Sequence, residues 1–375
     1  MSAAKKPTKD ISKIIIKVGS SGVSHEKIGP VNERIRVLLQ DIKWLQEKNY
    51  QICLVTSGAI NSAKQILNDS FGISELLTLQ QARASVGQVL LMKAYSIVAQ
   101  DLGLTVAQIL LTHEDFKDRC RFVNVRNTLN YLMSKNIIPI INENDTVSTK
   151  EITVGDNDQL AAMTAECVDA NQLILLTESM GLYDRDPKDP SAQLITHVTT
   201  QLNLSHIKFG KKTDSGRGGM STKLAAIKHL TDLGISVVLS SHYGEHPICD
   251  AYERKTGTFF EAEKTNHLQM RKKWIVSSVK QDAQVFIDEG AAKALQKNAS
   301  LLPVGIKKIA GSFKRGDVVS VKFQNKIVAY GISEFSSKEL DKIKGHQSDQ
   351  IIKILGPIYH EVAIHRDNLY LKVVL

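Results

Sequence analysis

Apolar residues recur along the first two thirds of the chain in two alternating patterns. Short, continuously apolar runs predict buried strands: KIIIKVG at 13–19, QICLVTSG at 51–58, TVAQILLT at 105–112, IIPIINE at 137–143, QLILLTE at 172–178 and ISVVLSS at 235–241. Segments with helical spacing lie between them. In 31–50 the residues Ile35, Leu38, Leu39, Ile42 and Leu45 fall on one face; 80–102, 122–136, 157–170 and 219–234 are likewise predicted helical, the last ended by Gly234. Alternating helices and fully apolar strands predict an α/β fold, an αβα sandwich with a mainly parallel sheet covered on both faces. In such sheets ligands bind beyond the carboxyl ends of the strands. After residue 264 the pattern changes. VFIDEG, GIKKIAG, DVVSVKF and KIVAYGIS are short strand candidates separated by Gly, Lys and Asn, which predicts a small, β-rich, barrel-like module. Neither part contains an internal repeat or a low-complexity tract.

Length and charge sharpen this division. A chain of 375 residues is long enough for about two domains. Residues 1–263 hold 29 Lys+Arg and 29 Asp+Glu, whereas 264–375 hold 19 and 10, so the whole net charge of +9 sits in the last third. We therefore expect a flexible tail at 1–11, a catalytic domain at 12–263, and a linker with a second domain at 264–375 able to meet polyanions. The polar start MSAAKKPTKD has no apolar stretch of the kind a secretory signal carries, and no apolar run approaches the ~18 residues a membrane span needs. Cys53, Cys120, Cys167 and Cys249 form no C-x-x-C pair and fit neither a zinc site nor a disulfide framework. The expected location is the reducing cytoplasm, with no membrane partner.

Four clusters at the strand ends carry candidate chemistry. Lys17-Val-Gly19-Ser20-Ser21-Gly22 could turn backbone N–H groups and a fixed cation toward an anion, or Lys17 could be a solvated surface residue. Thr56-Ser57-Gly58-Ala59 opens a helix whose free N–H groups suit a carboxylate or phosphate, or Ser57 is a plain N-cap. Asn142-Glu143-Asn144-Asp145, Glu151, and Asp156-Asn157-Asp158 after Gly155 gather five acids and three amides within 17 positions. Such a group is costly to bury without partners, which points to amine recognition and the orientation of charged groups, with an Asx-rich loop as the alternative. Residues 151–200 carry nine acids and two bases, which would suit a Mg²⁺-linked site or a plain acidic surface. Gly216-Arg217-Gly218-Gly219-Met220-Ser221-Thr222-Lys223 opens a helix, but Ser-Thr-Lys is not the Gly-Lys-Ser/Thr order of a Walker A loop. No G-x-G-x-x-G follows the first strand, which disfavours a dinucleotide-binding dehydrogenase. Two lysines, an acidic cluster and two Gly-rich helix starts together describe phosphoryl transfer, chemistry that rests on positioning and charge neutralisation.

KVGSSG, VTSGAI, INENDTV, VGDNDQLAA, LLTESMGLYDRDP and GRGGMSTKLAA occur in this order. Together they resemble the glutamate 5-kinases of the amino-acid kinase superfamily from about residue 12 onward. FIDEGAAKAL, SLLPVGIK, FKRGDVVSV and IHRDN resemble the PUA domain that many members carry. The resemblance implies ATP-dependent, Mg²⁺-assisted phosphorylation of the γ-carboxylate of L-glutamate, the first step of proline synthesis. It implies that Lys17 and Lys223 stabilise the transferring phosphoryl group and the ADP leaving group, and that Asp158 holds both lysines. Ser57, Asp145 and Asn157 would bind glutamate. Lys17, Thr177, Glu178 and the run Arg217, Gly218, Gly219, Met220, Ser221, Thr222, Lys223 would bind ATP. No protein ligand set for a metal is implied. Glu178 replaces the Asp usual in the family, and Arg217 replaces a small residue. Inhibition by proline around Asp145 and Asn157, and a homo-dimer or tetramer, are likewise implied. Two alternatives remain open at this stage: an RNA-binding PUA protein with a degenerate kinase domain, and a superfamily kinase acting on another carboxylate.

Overall fold

A computed structural model describes residues 12–23, 31–64, 66–67, 77–148, 157–199, 220–263, 279–356 and 361–371. Residues 1–116 with 125–265 form one compact unit, and 117–124 with 266–375 form another. The expected tail at 1–11 lies outside the described residues.

The first unit is built on an eight-stranded sheet. Its strands are β1 (Lys13–Val18), β2 (Gln51–Val55), β3 (Val106–Leu111), β4 (Ile138–Glu143), β5 (Gln172–Thr177), β8 (His197–Val198), β9 (Ser236–Ser241) and β10 (Thr258–Phe260). A separate two-stranded hairpin pairs β6 (Leu182–Tyr183) with β7 (Leu194–Ile195). The order across the large sheet is β3-β4-β2-β1-β5-β9-β10-β8. The first six strands of that order are parallel; β10 runs antiparallel to β9, and β8 runs parallel to β10. The six long strands are those the apolar runs predict; five are buried through most of their length, as strands covered on both faces are, while β3 at the sheet edge leaves Gln108 exposed. The short β6, β7, β8 and β10 carry too few residues for a periodic signal.

Side chains of one strand leave it alternately. Ile14, Ile16 and Val18 therefore enter one core layer, and Ile15 enters the other. The first layer holds the α2 stripe (helix Val31–Glu47) and α4 (Leu77–Asp101). Ile35, Leu38, Leu39, Ile42 and Leu45 of α2 are all fully buried, as their spacing predicts. The second layer holds α6 (Arg119–Ser134), α7 (Asn157–Cys167) and α8 (Met220–Asp232). Alanines at 161, 162 and 165 give α7 a thin buried face, so it sits close to the sheet. The shorter helices are α1 (Ser20–Val23), α3 (Ala59–Ser62), α5 (His113–Lys117) and α9 (Pro247–Tyr252).

The second unit carries a five-stranded sheet, ordered β12 (Ile306–Ala310), β11 (Val279–Ile287), β13 (Val318–Phe323), β14 (Lys326–Ile332) and β15 (Leu369–Leu371). Four of these strands coincide with the predicted ones. The helices α10 (Glu289–Gln296), α11 (Ser337–Ile343) and α12 (Ser348–Leu355) are additions to that reading. Their starts carry legible caps: Asp288 accepts from the Ala291 N–H at 2.8 Å, and Ser336 with Glu339 forms a capping box.

Candidate active site

The carboxyl end of β1 places a cation on a defined face. Lys17 shares its side of the strand with Ile15, so its side chain leaves toward the layer that contains α7. Asp158 is the second residue of α7, and Lys223 the fourth residue of α8. Lys17 Nζ lies 2.6 Å from Asp158 Oδ1, and Lys223 Nζ donates to Asp158 Oδ2. One carboxylate thus bridges two ammonium groups. Burial works to raise the Asp158 carboxyl, but the two ammonium charges and their hydrogen bonds outweigh it and hold the group at about 2. The triad keeps one net positive charge in a largely buried setting, which suits a polyphosphate that brings more negative charge than one carboxylate.

Amide side chains meet beside this triad. Asn157, immediately before Asp158, donates from Nδ2 to the Thr56 carbonyl at 2.7 Å, to Ser57 Oγ at 2.7 Å and to Asn142 Oδ1 at 3.0 Å. Thr56 and Ser57 follow β2, where the Thr56 N–H still bonds the Ile141 carbonyl at 2.8 Å. Ser57 is not the cap of the next helix: Gly58 occupies that position at φ 107°, in the left-handed region that favours glycine. α3 is a single turn, so the helix-dipole contribution expected after Ser57 reduces to local N–H groups. Gly87 of α4 presses against this turn. A Cβ there would lie 1.7 Å from the Ala59 carbonyl oxygen.

Asp145 and Glu143 flank the same region. Both are buried, and they line a small cleft together with Gln88, Asn142, Asn144 and Thr146. Glu143 Oε1 accepts from Ser148 Oγ at 2.5 Å and lies 3.5 Å from His113 Nδ1. At the carboxyl end of β5, Thr177 Oγ1 and the Ser179 N–H are 3.2 Å apart, while Glu178 is exposed. Met220, Ser221 and Thr222 form the first turn of α8. Arg217, Gly218 and Gly219 lie outside the described residues, as do Glu151, Gly155 and Asp156.

The fold thus gathers Lys17, Lys223 and Asp158 in one triad and joins Ser57 to Asn157. Reading the sequence misses Gln88 and Tyr95. Tyr95 OH lies 2.9 Å from Thr56 Oγ1, and Gln88 Oε1 accepts from Asn142 Nδ2 at 2.9 Å. A signal for Gln88 exists: it interrupts the buried α4 stripe formed by Ala84, Leu91 and Tyr95.

Comparison with known proteins settles the family. The Amino acid kinase family model matches residues 12–241, and the PUA domain model matches 283–355. Glutamate 5-kinase from Dictyoglomus turgidum is 39% identical over 363 residues, covering 96% of this chain and 97% of the relative. The chain belongs to the glutamate 5-kinase family. Glutamate 5-kinase from Caldanaerobacter subterraneus subsp. tengcongensis is 41% identical over 363 residues, covering 95% and 97%. Among solved structures, carbamate kinase from Giardia lamblia bound to AMP-PNP superposes with a TM-score of 0.50 at 15% identity, over 68% of this chain and 99% of that one. At that identity the likeness shows a shared fold alone. Within a glutamate 5-kinase chain, the triad of Lys17, Asp158 and Lys223 and the hydrogen-bonded group of Ser57, Asn142 and Asn157 sit side by side on the first unit.

Proposed function

We propose that this chain transfers the γ-phosphoryl group of ATP to the side-chain carboxylate of L-glutamate, giving ADP and L-glutamyl 5-phosphate, the first step of proline synthesis. The observation that carries the reading is the bridged pair of lysines: Asp158 holds two ammonium groups on one carboxylate. In the reaction a carboxylate oxygen forms a bond to the γ-phosphorus. The bond from that phosphorus to the β,γ-bridging oxygen breaks, and the electron pair leaves with ADP. The glutamate carboxyl is ionised near pH 7, since such groups titrate at ~4.3, so no strong base is required. The obstacle is repulsion between two anions. Lys17 and Lys223 offset it and stabilise the charge that develops on the leaving phosphate.

Ser57, Asn157 and Asp145 take the amino acid, and the region of Thr177, Glu178 and the first turn of α8, with Arg217 to Gly219 before it, takes ATP. Glu178 retains an acid at a position usually Asp in the family. Among the described residues no three His, Cys, Asp or Glu gather to hold a metal ion. Mg²⁺ would be carried on the nucleotide phosphates, its usual mode, where it would neutralise phosphate charge. Proline fits the same amine- and carboxylate-recognising region and would act as an inhibitor. A homo-dimer or tetramer is proposed from the family resemblance. No helix among the described residues is long and apolar enough to cross a membrane.

The test is ADP release from Mg²⁺-ATP with L-glutamate, aspartate, N-acetylglutamate or no acceptor, with hydroxylamine present to trap acyl phosphate. Glutamate-dependent ADP and a hydroxamate are expected, falling by roughly a hundredfold in Lys223→Ala. Proline should lower the rate at subsaturating glutamate. Turnover with aspartate or N-acetylglutamate instead would transfer the assignment to another carboxylate, and a rate indifferent to proline would remove the inhibitor.

A further inference from the structure

Gln88 anchors a chain of side-chain amides that runs from the edge of the sheet to the triad. Gln88 Nε2 donates to Gln108 Oε1 at 3.2 Å, and Gln88 Oε1 accepts from Asn142 Nδ2 at 2.9 Å. Asn142 Oδ1 accepts from the Glu143 backbone N–H at 2.9 Å and from Asn157 Nδ2 at 3.0 Å. Asn157 Nδ2 also reaches the Thr56 carbonyl and Ser57 Oγ. Gln88, Asn142 and Asn157 are all buried.

Two backbone groups fix the direction of every amide in this chain. The Glu143 N–H can only donate, so the oxygen of Asn142 must face it. The Thr56 carbonyl can only accept, so the nitrogen of Asn157 must face that. Consequently Asn142 presents its NH₂ group to Gln88, and Asn157 Oδ1 is turned away from its neighbours. That oxygen has no hydrogen-bond partner among the described residues. A buried acceptor without a partner is rare and calls for a donor supplied from outside the chain. Ser57 Oγ, already accepting from Asn157, keeps its own proton to donate. The amino acid's ammonium group answers the first need and a carboxylate the second.

We propose that Gln88 is a positioning residue for amine recognition: by occupying the NH₂ group of Asn142, it holds Asn157 Oδ1 in place to accept from the α-ammonium group of the substrate. This rests on the reading of the site as a glutamate site. Without Gln88, the Asn142 NH₂ group is a buried donor without an acceptor, which is costly. With its oxygen still held by the Glu143 N–H, the Asn142 side chain shifts toward water to satisfy its NH₂ group, and its contact with Asn157 loosens. The loss falls on the amine, not on the side-chain carboxylate.

The experiment compares L-glutamate with glutarate, the same dicarboxylate without its amine, by calorimetric Kd on the full chain; no turnover is needed. In the wild type glutamate should bind more tightly than glutarate. Gln88→Met, close in volume but lacking the acceptor, should weaken glutamate about tenfold and leave glutarate nearly unchanged. Gln88→Glu keeps an oxygen for Asn142 and should recover most of the preference. The KM for ATP should not move in either variant. Equal weakening of both ligands in Gln88→Met would mean that Gln88 only supports the pocket's shape, and the proposal falls. Should Gln88→Met not fold, a loss of the preference in Gln88→Glu overturns it equally. A wild type that binds glutamate and glutarate alike removes amine recognition and this proposal together. A wild type that prefers glutamate but releases no ADP sinks the kinase reading alone.

Discussion

Asp158 shows how one residue can be costly alone and stabilising in context. A buried carboxylate without partners would be driven toward its neutral form. Here Lys17 and Lys223 reverse that sign, and the carboxyl titrates at about 2. Its folded pKa lies below the ~3.9 of an unfolded Asp, so its contribution, about 2 kcal/mol, is present above that value and lost as pH falls through about 2. Urea unfolding at pH 5 and near pH 2.5 should therefore show a smaller loss of stability in Asp158→Asn than in the wild type. The same variant leaves two buried ammonium groups facing each other without a counter-charge. Its kcat should fall by roughly 10²–10³. Unchanged kcat would mean that the lysines hold their geometry without Asp158.

Among the elements, the contact of α3 with α4 decides the geometry around Ser57. α3 is too short to be stable by itself, since isolated helices need ~12–15 residues. It is held by α4, which approaches closely because position 87 has no side chain. Gly87→Ala would set a methyl group 1.7 Å from the Ala59 carbonyl oxygen, so one element must move. We expect a loss of ~1–3 kcal/mol from overpacking and a raised KM for glutamate with the KM for ATP unchanged. Thermal unfolding and initial rates check this; a variant with the wild-type melting point and KM would show that α3 yields freely. The α2 stripe behaves in the opposite way. Its periodicity already states which side chains are buried.

At the scale of the molecule, charge divides the chain. The excess of nine positive charges belongs to residues 264–375. In the second unit, Lys307 and Lys308 are exposed on β12, and the ammonium groups of Lys308 and Lys322 each lie 5.7 Å from the Phe286 ring centroid. An aromatic ring between two cations is a surface on which a base can stack beside its phosphates. We expect the full chain to bind single-stranded RNA weakly, with an affinity that falls steeply between about 50 and 200 mM salt. The double variant Lys307→Glu, Lys308→Glu should reduce it. No binding at the lower salt would leave the positive charge as a solvated face.

The fold was largely legible because its information is local. Six mostly apolar runs of strand length predict strands in a covered sheet, although β3 lies at the sheet edge with Gln108 exposed, and the five-residue stripe of α2 predicts a buried helical face. The chemistry was legible where a motif keeps its residues adjacent, as in Asn157-Asp158, or where the family resemblance named them. Tertiary structure decided the rest. Lys17, Asp158 and Lys223 are separated by 141 and 65 positions, and nothing local says that one carboxylate bridges both lysines; the parallel sheet brings the end of β1 and the starts of α7 and α8 together. Ser57 looks like a helix cap in sequence, yet Gly58 takes that position and frees Ser57 for Asn157. Gln88 has no motif at all. Its importance comes from the direction of hydrogen bonds in a buried chain of amides, which exists only once α4, β4 and α7 are packed.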